Sequence, residues 1–453
     1  MSEPRAGSAA SAGAPQAGAA APEAAAAPEI GAGAPFFRSR WVSAPAHVRE
    51  LGLDAGLPAG FRAAGATAGI KPSGRPDVGL LVCDAAEPVS AVRLTASATA
   101  AAPVLVTRER CRLQALRAVL ANSGCANAAT GRRGLDDAAK TQGAAAAALG
   151  VQAAEVALAS TGAISQFLPV DAVLKGVLAA SRRLDAGGDG DFQQAIQTTD
   201  AFEKRANLEL QLPSGTVRLS AQCKGAGMIS PLFATMLCFV QTDAALSAET
   251  AELLLGVCVK RSFDRVSVDG QLSTNDTAIL MCSGSSGVAV APESEDELRF
   301  GEALDALMRA LAVMLVADGE GAGRIARVLV RGGDAAVCEA AARAVANSPL
   351  VKAALHGGDP NWGRIVQALG GELGARHGFA APLAVDVAIE GIPVCSAGAA
   401  LDCDEAALAA AVRREEVEYE IVLGGRDSID VETEVFFSDL SQDYVRLNAE
   451  YTT

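Results

Sequence analysis

From about Trp41 onward, short β-branched runs alternate with Ala-rich stretches of helical spacing, and this alternation confines the chain to stacked layers of sheet and helix. Val78–Cys83, Ala326–Arg331 and Val417–Leu423 read as strands, the last with strict apolar and polar alternation. Asp136–Leu149, Ser247–Arg265 and Asp334–Ala346 read as helices, with Ser247 placed to cap the second. Gly424-Gly-Arg-Asp427 looks like a turn that folds Val417–Leu423 back onto Ser428–Phe437 as an antiparallel hairpin. The expected class is α/β (α+β), a layered sandwich with adjoining smaller subdomains.

Half of the residues are hydrophobic but only 4% are aromatic, so the core has to be assembled from Ala, Val and Leu. At 453 residues the chain suits two or three domains or one large layered fold. Residues 1–38 stand apart: an Ala/Gly/Pro-rich opening with no apolar period reads as a disordered tail. The tail has neither the basic start and apolar core of a secretory signal nor the acid-poor composition of a transit peptide, so a cytoplasmic location is expected. No run of eighteen strongly apolar residues suggests a membrane span.

Charge and thiols narrow the function further. With 53 acidic and 38 basic residues the net charge is −15, a field that repels nucleic acid and anionic membranes, and neither is expected as a partner. Ten cysteines are scattered without a Cys-x-x-Cys pair and read as buried thiols of a reducing compartment. His47, His356 and His377 have no metal-ligand spacing, so no metal site is expected. So few histidines also make a histidine-activated nucleophile a weak default, and acid–base chemistry calls for another base.

The stretch Cys223-Lys-Gly-Ala-Gly-Met-Ile-Ser-Pro-Leu-Phe-Ala-Thr-Met-Leu-Cys238 is the most informative. Taken alone, Thr235 would be one more β-branched strand residue. The run resembles the self-cleaving site of the ornithine acetyltransferase family, also called bifunctional glutamate N-acetyltransferases, in which Ala-Thr-Met-Leu follows Lys-Gly-x-Gly-Met. The resemblance extends through Gly69-Ile-Lys-Pro-Ser-Gly74, Asn122-Ser-Gly124, Ser160-Thr-Gly162, Thr198-Thr-Asp200, Asp318-Gly-Glu-Gly321, Asp359-Pro-Asn-Trp-Gly-Arg364 and Tyr444-Val-Arg-Leu-Asn448. Together these motifs cover nearly everything after the tail.

The resemblance implies autoproteolysis between Ala234 and Thr235, giving an α chain that holds residues 39–234 after the tail and a β chain of residues 235–453, in an Ntn-hydrolase-like mechanism. Thr235 would be the nucleophile, and its freed α-amine, with an unperturbed pKa of about 7.7–8.0, the nearby base. Thr161 and Gly162 would form the oxyanion hole. Thr198, Lys224, Thr235, Glu320, Asn448 and Thr453 would bind substrate. The implied reaction passes acetyl from N2-acetylornithine to glutamate by ping-pong transfer, with acetyl-CoA a further candidate donor. It needs no cofactor, and the assembly implied is an α2β2 heterotetramer. A self-cleaving Thr aminopeptidase or amide hydrolase, with water in place of glutamate, and an uncleaved binding homologue are the alternatives.

Three positions depart from the family pattern. Ala100 falls where a basic residue is usual, Cys125 replaces an Asn, and Ser165 replaces a Gly after the Thr-Gly pair. Asp269, Asn275 and Asp276 do not fit an EF-hand and read as turn and hydrogen-bonding residues.

Overall fold

The computed structural model of the protein describes residues 35–230, 236–332, 334–376, 378, 384–424 and 431–450. A four-stranded sheet runs in the order Phe61–Ala66, Val78–Cys83, β1 (Ala118–Cys125) and β2 (Val156–Ala163). The last two are parallel, and the helix Gly131–Leu149 lies between them in sequence. A six-stranded sheet runs Val48–Glu50, Lys204–Leu212, β3 (Gly215–Lys224), β4 (Leu237–Thr242), β5 (Thr277–Cys282) and Val89–Leu94.

The two sheets pack face to face. Leu81, Val119 and Ala157 of the first meet Leu237, Phe239, Ile279 and Met281 of the second, with Phe192 and Ile196 of the helix Asp189–Ile196. Neighbouring residues on the same strands point the other way, as a period of two requires. Leu80, Leu120 and Leu158 pack under the helices Gly131–Leu149 and Val170–Ser181. Cys238, Val240 and Leu280 pack under the helix Ala248–Arg261 and helix α1 (Glu295–Ala317). The result is a helix–sheet–sheet–helix sandwich, the layered α/β architecture expected. Its inner strands are buried on both faces and therefore read as continuous apolar runs.

A second sheet system adjoins it, in the order Val266–Ser267, Glu432–Ser438, Ile325–Arg331, Glu416–Leu423, Val385–Ile389, Ile392–Ser396, Ala399–Ala400. One face is covered by helices through Val328, Val330, Ile421 and Phe437. The expected hairpin is not formed. We label Ile325–Arg331 β6, Glu416–Leu423 β7 and Glu432–Ser438 β8; β6 lies between the other two, parallel to β7 and antiparallel to β8. The charges on the other face supply a reason. Arg327 reaches Glu418 at 2.7 Å on one neighbour and Glu434 at 3.2 Å on the other. A direct β7–β8 hairpin would set these glutamate rows against each other, and like charges opposed across strands are destabilising.

Local expectations fared better. The strand Val78–Cys83 has the bounds expected, and β6 and β7 each begin one residue earlier. Ser247 caps its helix by accepting from Thr250 N at 3.0 Å, though the helix ends at Arg261 and a 3-10 turn, Phe263–Arg265, follows. Asp334 caps Ala335–Ala346 in the same way. Gly131–Leu149 starts five residues before the Asp136 expected from sequence. Of the expected tail, residues 1–34 lie outside the described residues, whereas Phe36 and Phe37 pack against the core and Phe36 N donates to Glu50 at 2.8 Å. All ten cysteines are free; Cys111 and Cys403 are only partly buried. Among the described residues no helix is long and apolar enough to cross a membrane.

Candidate active site

Several chain segments end at one polar cavity of about 230 Å³. The C-terminal ends of β2 and β3 bring Thr161, Gly162 and Lys224; the segment after Asp189–Ile196 brings Thr198 and Thr199; the end of α1 leads to Glu320. Helix α2 (Gln442–Glu450), from the adjoining lobe, supplies Tyr444 and Asn448.

Lys224 is 2% exposed, a rare position for an ammonium unless it is partnered. Its Nζ donates to Thr198 Oγ1 at 2.9 Å and Thr161 Oγ1 at 3.2 Å and stands 3.9 Å from the Asp200 carboxylate. Burial pulls its pKa below the lysine range; Asp200 opposes that shift and the neighbouring Lys204 charge adds to it.

Behind Lys224 lies a fully buried ionic cluster. Asp200 accepts from Lys204 Nζ at 2.8 Å, from Gly225 N at 2.8 Å and from Thr198 N at 2.9 Å, which fixes both the lysine and the threonine loop. Burial alone would raise Asp200, but the two lysines hold its carboxyl well below the usual carboxylate range. Lys204 also pairs with Asp318, whose carboxylate accepts from Ala201 N at 3.0 Å. Burial pushes Asp318 up to about 6.

Glu320 also lines the cavity. Its backbone N donates to Ala226 O at 2.8 Å, Thr199 Oγ1 donates to Oε1 at 2.8 Å, and Asn448 Nδ2 donates to Oε2 at 2.8 Å. Gly227 lies against the carboxylate. Asp269, the other carboxylate lining the cavity among the described residues, accepts from Met228 N at 2.6 Å, Ile229 N at 2.9 Å and Gln271 N at 3.1 Å. It thereby holds Met228 at φ +56°, and Tyr444 Oη approaches it at 3.4 Å.

At Gly162 the backbone has φ +125°, and a Cβ would stand 2.4 Å from Gly124 C. Only glycine lets β1 and β2 approach so closely here. Ser165, three residues on, holds φ +64° and donates its N–H to Ala128 O at 3.0 Å, a left-handed position where a glycine would be unstrained. Cys125 is buried, its Sγ 3.5 Å from Gln166 O; Ala100 lies in a turn closed by its N–H on Ser97 O.

The structure thus gathers Thr161, Gly162, Thr198, Lys224, Glu320 and Asn448 around one cavity. Ala234, Thr235 and Thr453 lie outside the described residues. The first residue after them, Met236, is clamped from both sides: its N–H donates to Asp276 at 3.1 Å and its carbonyl accepts from Thr277 N at 3.1 Å. Asp276 is completely buried, and burial drives its carboxyl well above the usual range. Asn275 donates to Ala126 O at 2.8 Å. Sequence reasoning did not single out Thr199, Asp200 or Tyr444, although each sits inside a motif it had quoted. Among the described residues no group of three His, Cys, Asp or Glu side chains could hold a metal.

Fold and cavity together are those of a layered α/β enzyme. The chain belongs to the ArgJ family, whose model matches residues 62–453. It is 42% identical over 407 residues to the arginine biosynthesis bifunctional protein ArgJ of Rhodopirellula baltica, covering 88% of this chain and 96% of that one. The protein of the same name from Symbiobacterium thermophilum is 42% identical over 402 residues, covering 87% and 98%. Among solved structures, the ornithine acetyltransferase of Mycobacterium tuberculosis complexed with ornithine is 37% identical, covering 42% of this chain and 100% of that one with a TM-score of 0.38.

Proposed function

We propose that the protein transfers acetyl from N2-acetyl-L-ornithine to L-glutamate, yielding L-ornithine and N-acetyl-L-glutamate for arginine biosynthesis. Membership of the ArgJ family and relatives named for arginine biosynthesis support this reading. The observation that carries it at atomic level is the pairing of a buried ammonium, Lys224, with an outward carboxylate, Glu320, across a cavity of amino-acid size.

In this reading Lys224 and Thr198 hold the α-carboxylate of the substrate, while Glu320 and Asn448 take the δ-ammonium of the ornithine chain. The precursor cuts itself between Ala234 and Thr235, directly before the clamped Met236. The Thr235 amine accepts the hydroxyl proton as Oγ attacks the acetyl carbonyl. Thr161 and the Gly162 N–H stabilise the oxyanion, a donor pair whose members are each worth about 3 kcal/mol in comparable sites. Ornithine leaves with the proton, and the glutamate amine then attacks the acetyl-Thr235 ester. Residues 39–234 and 235–453 stay together as the α and β chains of an α2β2 assembly in the cytoplasm.

Intact mass of the purified protein tests this directly. Two chains that meet at Ala234/Thr235, the second heavier by one acetyl group after incubation with acetylornithine, are expected. A single full-length species with transfer activity would refute the processing. Acetyl-CoA offered as sole donor scores the same acetyl adduct.

A further inference from the structure

Thr198 and Thr199 are consecutive, yet their hydroxyls serve different charged groups of the cavity. Thr198 Oγ1 accepts from Lys224 at 2.9 Å, whereas Thr199 Oγ1 donates to Glu320 Oε1 at 2.8 Å. We infer that Thr199 is a specificity-determining positioning residue: it aims the Glu320 carboxylate at a cationic side chain and so governs the acetyl-donor half-reaction without governing the glutamate half-reaction. The inference rests on the proposed acetyl transfer and adds to it the residue that sorts the two substrates.

The geometry around Glu320 supports this. Asn448 Nδ2 holds Oε2 at 2.8 Å, so each carboxylate oxygen has one neutral donor and keeps a lone pair for a ligand. Neutral donors orient the group without cancelling its charge. Gly227 leaves the room the carboxylate occupies, since a Cβ there would lie 2.7 Å from Oε2. Asp269 is no substitute as a cation acceptor, because three backbone N–H groups and the Tyr444 hydroxyl already occupy it.

The two substrates differ at the place Glu320 faces. Acetylornithine carries an ammonium at the end of its side chain, and glutamate a carboxylate. Freeing Glu320 from Thr199 withdraws an attraction that only the donor uses.

The test is ping-pong kinetics on Thr199→Val beside Thr199→Ser, with both half-reactions measured on the processed enzyme. Loss of a hydrogen bond to a charged group predicts kcat/KM for acetylornithine lower by about tenfold, mostly through KM. The kcat/KM for glutamate should stay within about twofold, and Thr199→Ser, which keeps the hydroxyl, should recover the wild-type ratio. In a Glu320→Gln background Thr199→Val should add no further loss. Equal losses in the two half-reactions, no loss at all, or full additivity with Glu320→Gln would overturn the inference. Thr199→Ala carries the same comparison if the valine variant does not accumulate. Wild-type protein that moves no acetyl from acetylornithine overturns the proposed function and the inference with it; an active wild type without the kinetic split overturns the inference alone.

Discussion

Gly227 lies so close to Glu320 that a Cβ on the glycine would stand 2.7 Å from the carboxylate carbon. The contact explains a glycine at this point better than backbone freedom does, since Gly227 is not among the residues of positive φ. Gly227→Ala should therefore push Glu320 off its Thr199 and Asn448 partners while leaving the fold intact. The expected result is a KM for acetylornithine raised by about tenfold with an unchanged melting midpoint. An unaltered KM would show that the carboxylate can move aside at no cost.

Lys204 is fully buried between Asp200 and Asp318. Burial opposes its charge, but the two carboxylates keep it above the usual lysine range. Lys204→Met leaves both acids without their shared cation and should cost about 3–5 kcal/mol, read as a lower urea midpoint. Adding Asp318→Asn should restore part of that loss by removing one stranded charge.

A pH dependence follows from Lys352, which donates to Ser438 O at 2.6 Å and is buried near Asp269 and Asp439. Burial pulls its ammonium down to about 7. An unfolded-chain lysine titrates near 10.4, so across that window the unfolded chain binds a proton that the folded one does not. This contribution is therefore present above the unfolded value and lost as pH falls through about 7. Urea midpoints of wild type and Lys352→Met, compared from about pH 6.5 to about pH 9, should diverge in favour of the wild type as pH rises. A constant difference would contradict the assignment.

Ser165 holds φ +64°, a left-handed conformation that favours glycine. Ser165→Gly should raise stability by about 0.5–1 kcal/mol without altering acetyl transfer, measured by thermal melting and initial rates. A destabilised variant would mean that the serine side chain contributes more than its backbone strain removes.

Much of this molecule was legible in its amino-acid order. The capped helix after Ser247 and the strand Val78–Cys83 announce themselves through local spacing, and Thr161, Lys224 and Glu320 lie in motifs that the structure brings to one cavity. The β7–β8 hairpin was misread because strand partnership is settled by segments far away in sequence, here the arginines of β6. Thr199 was passed over for a similar reason. Its neighbour shares its chemistry, and only the direction of each hydroxyl separates their partners.

Helix α2 carries Asn448 to Glu320 and Tyr444 to Asp269, so the cavity takes one wall from a segment that the ribosome makes long after Thr161 and Lys224. A nascent chain that ended after β5 would carry Thr161 and Lys224 but would lack Asp318, Glu320, Tyr444 and Asn448. Substrate would meet a half-built cleft, and the order of translation itself would keep the unfinished enzyme idle.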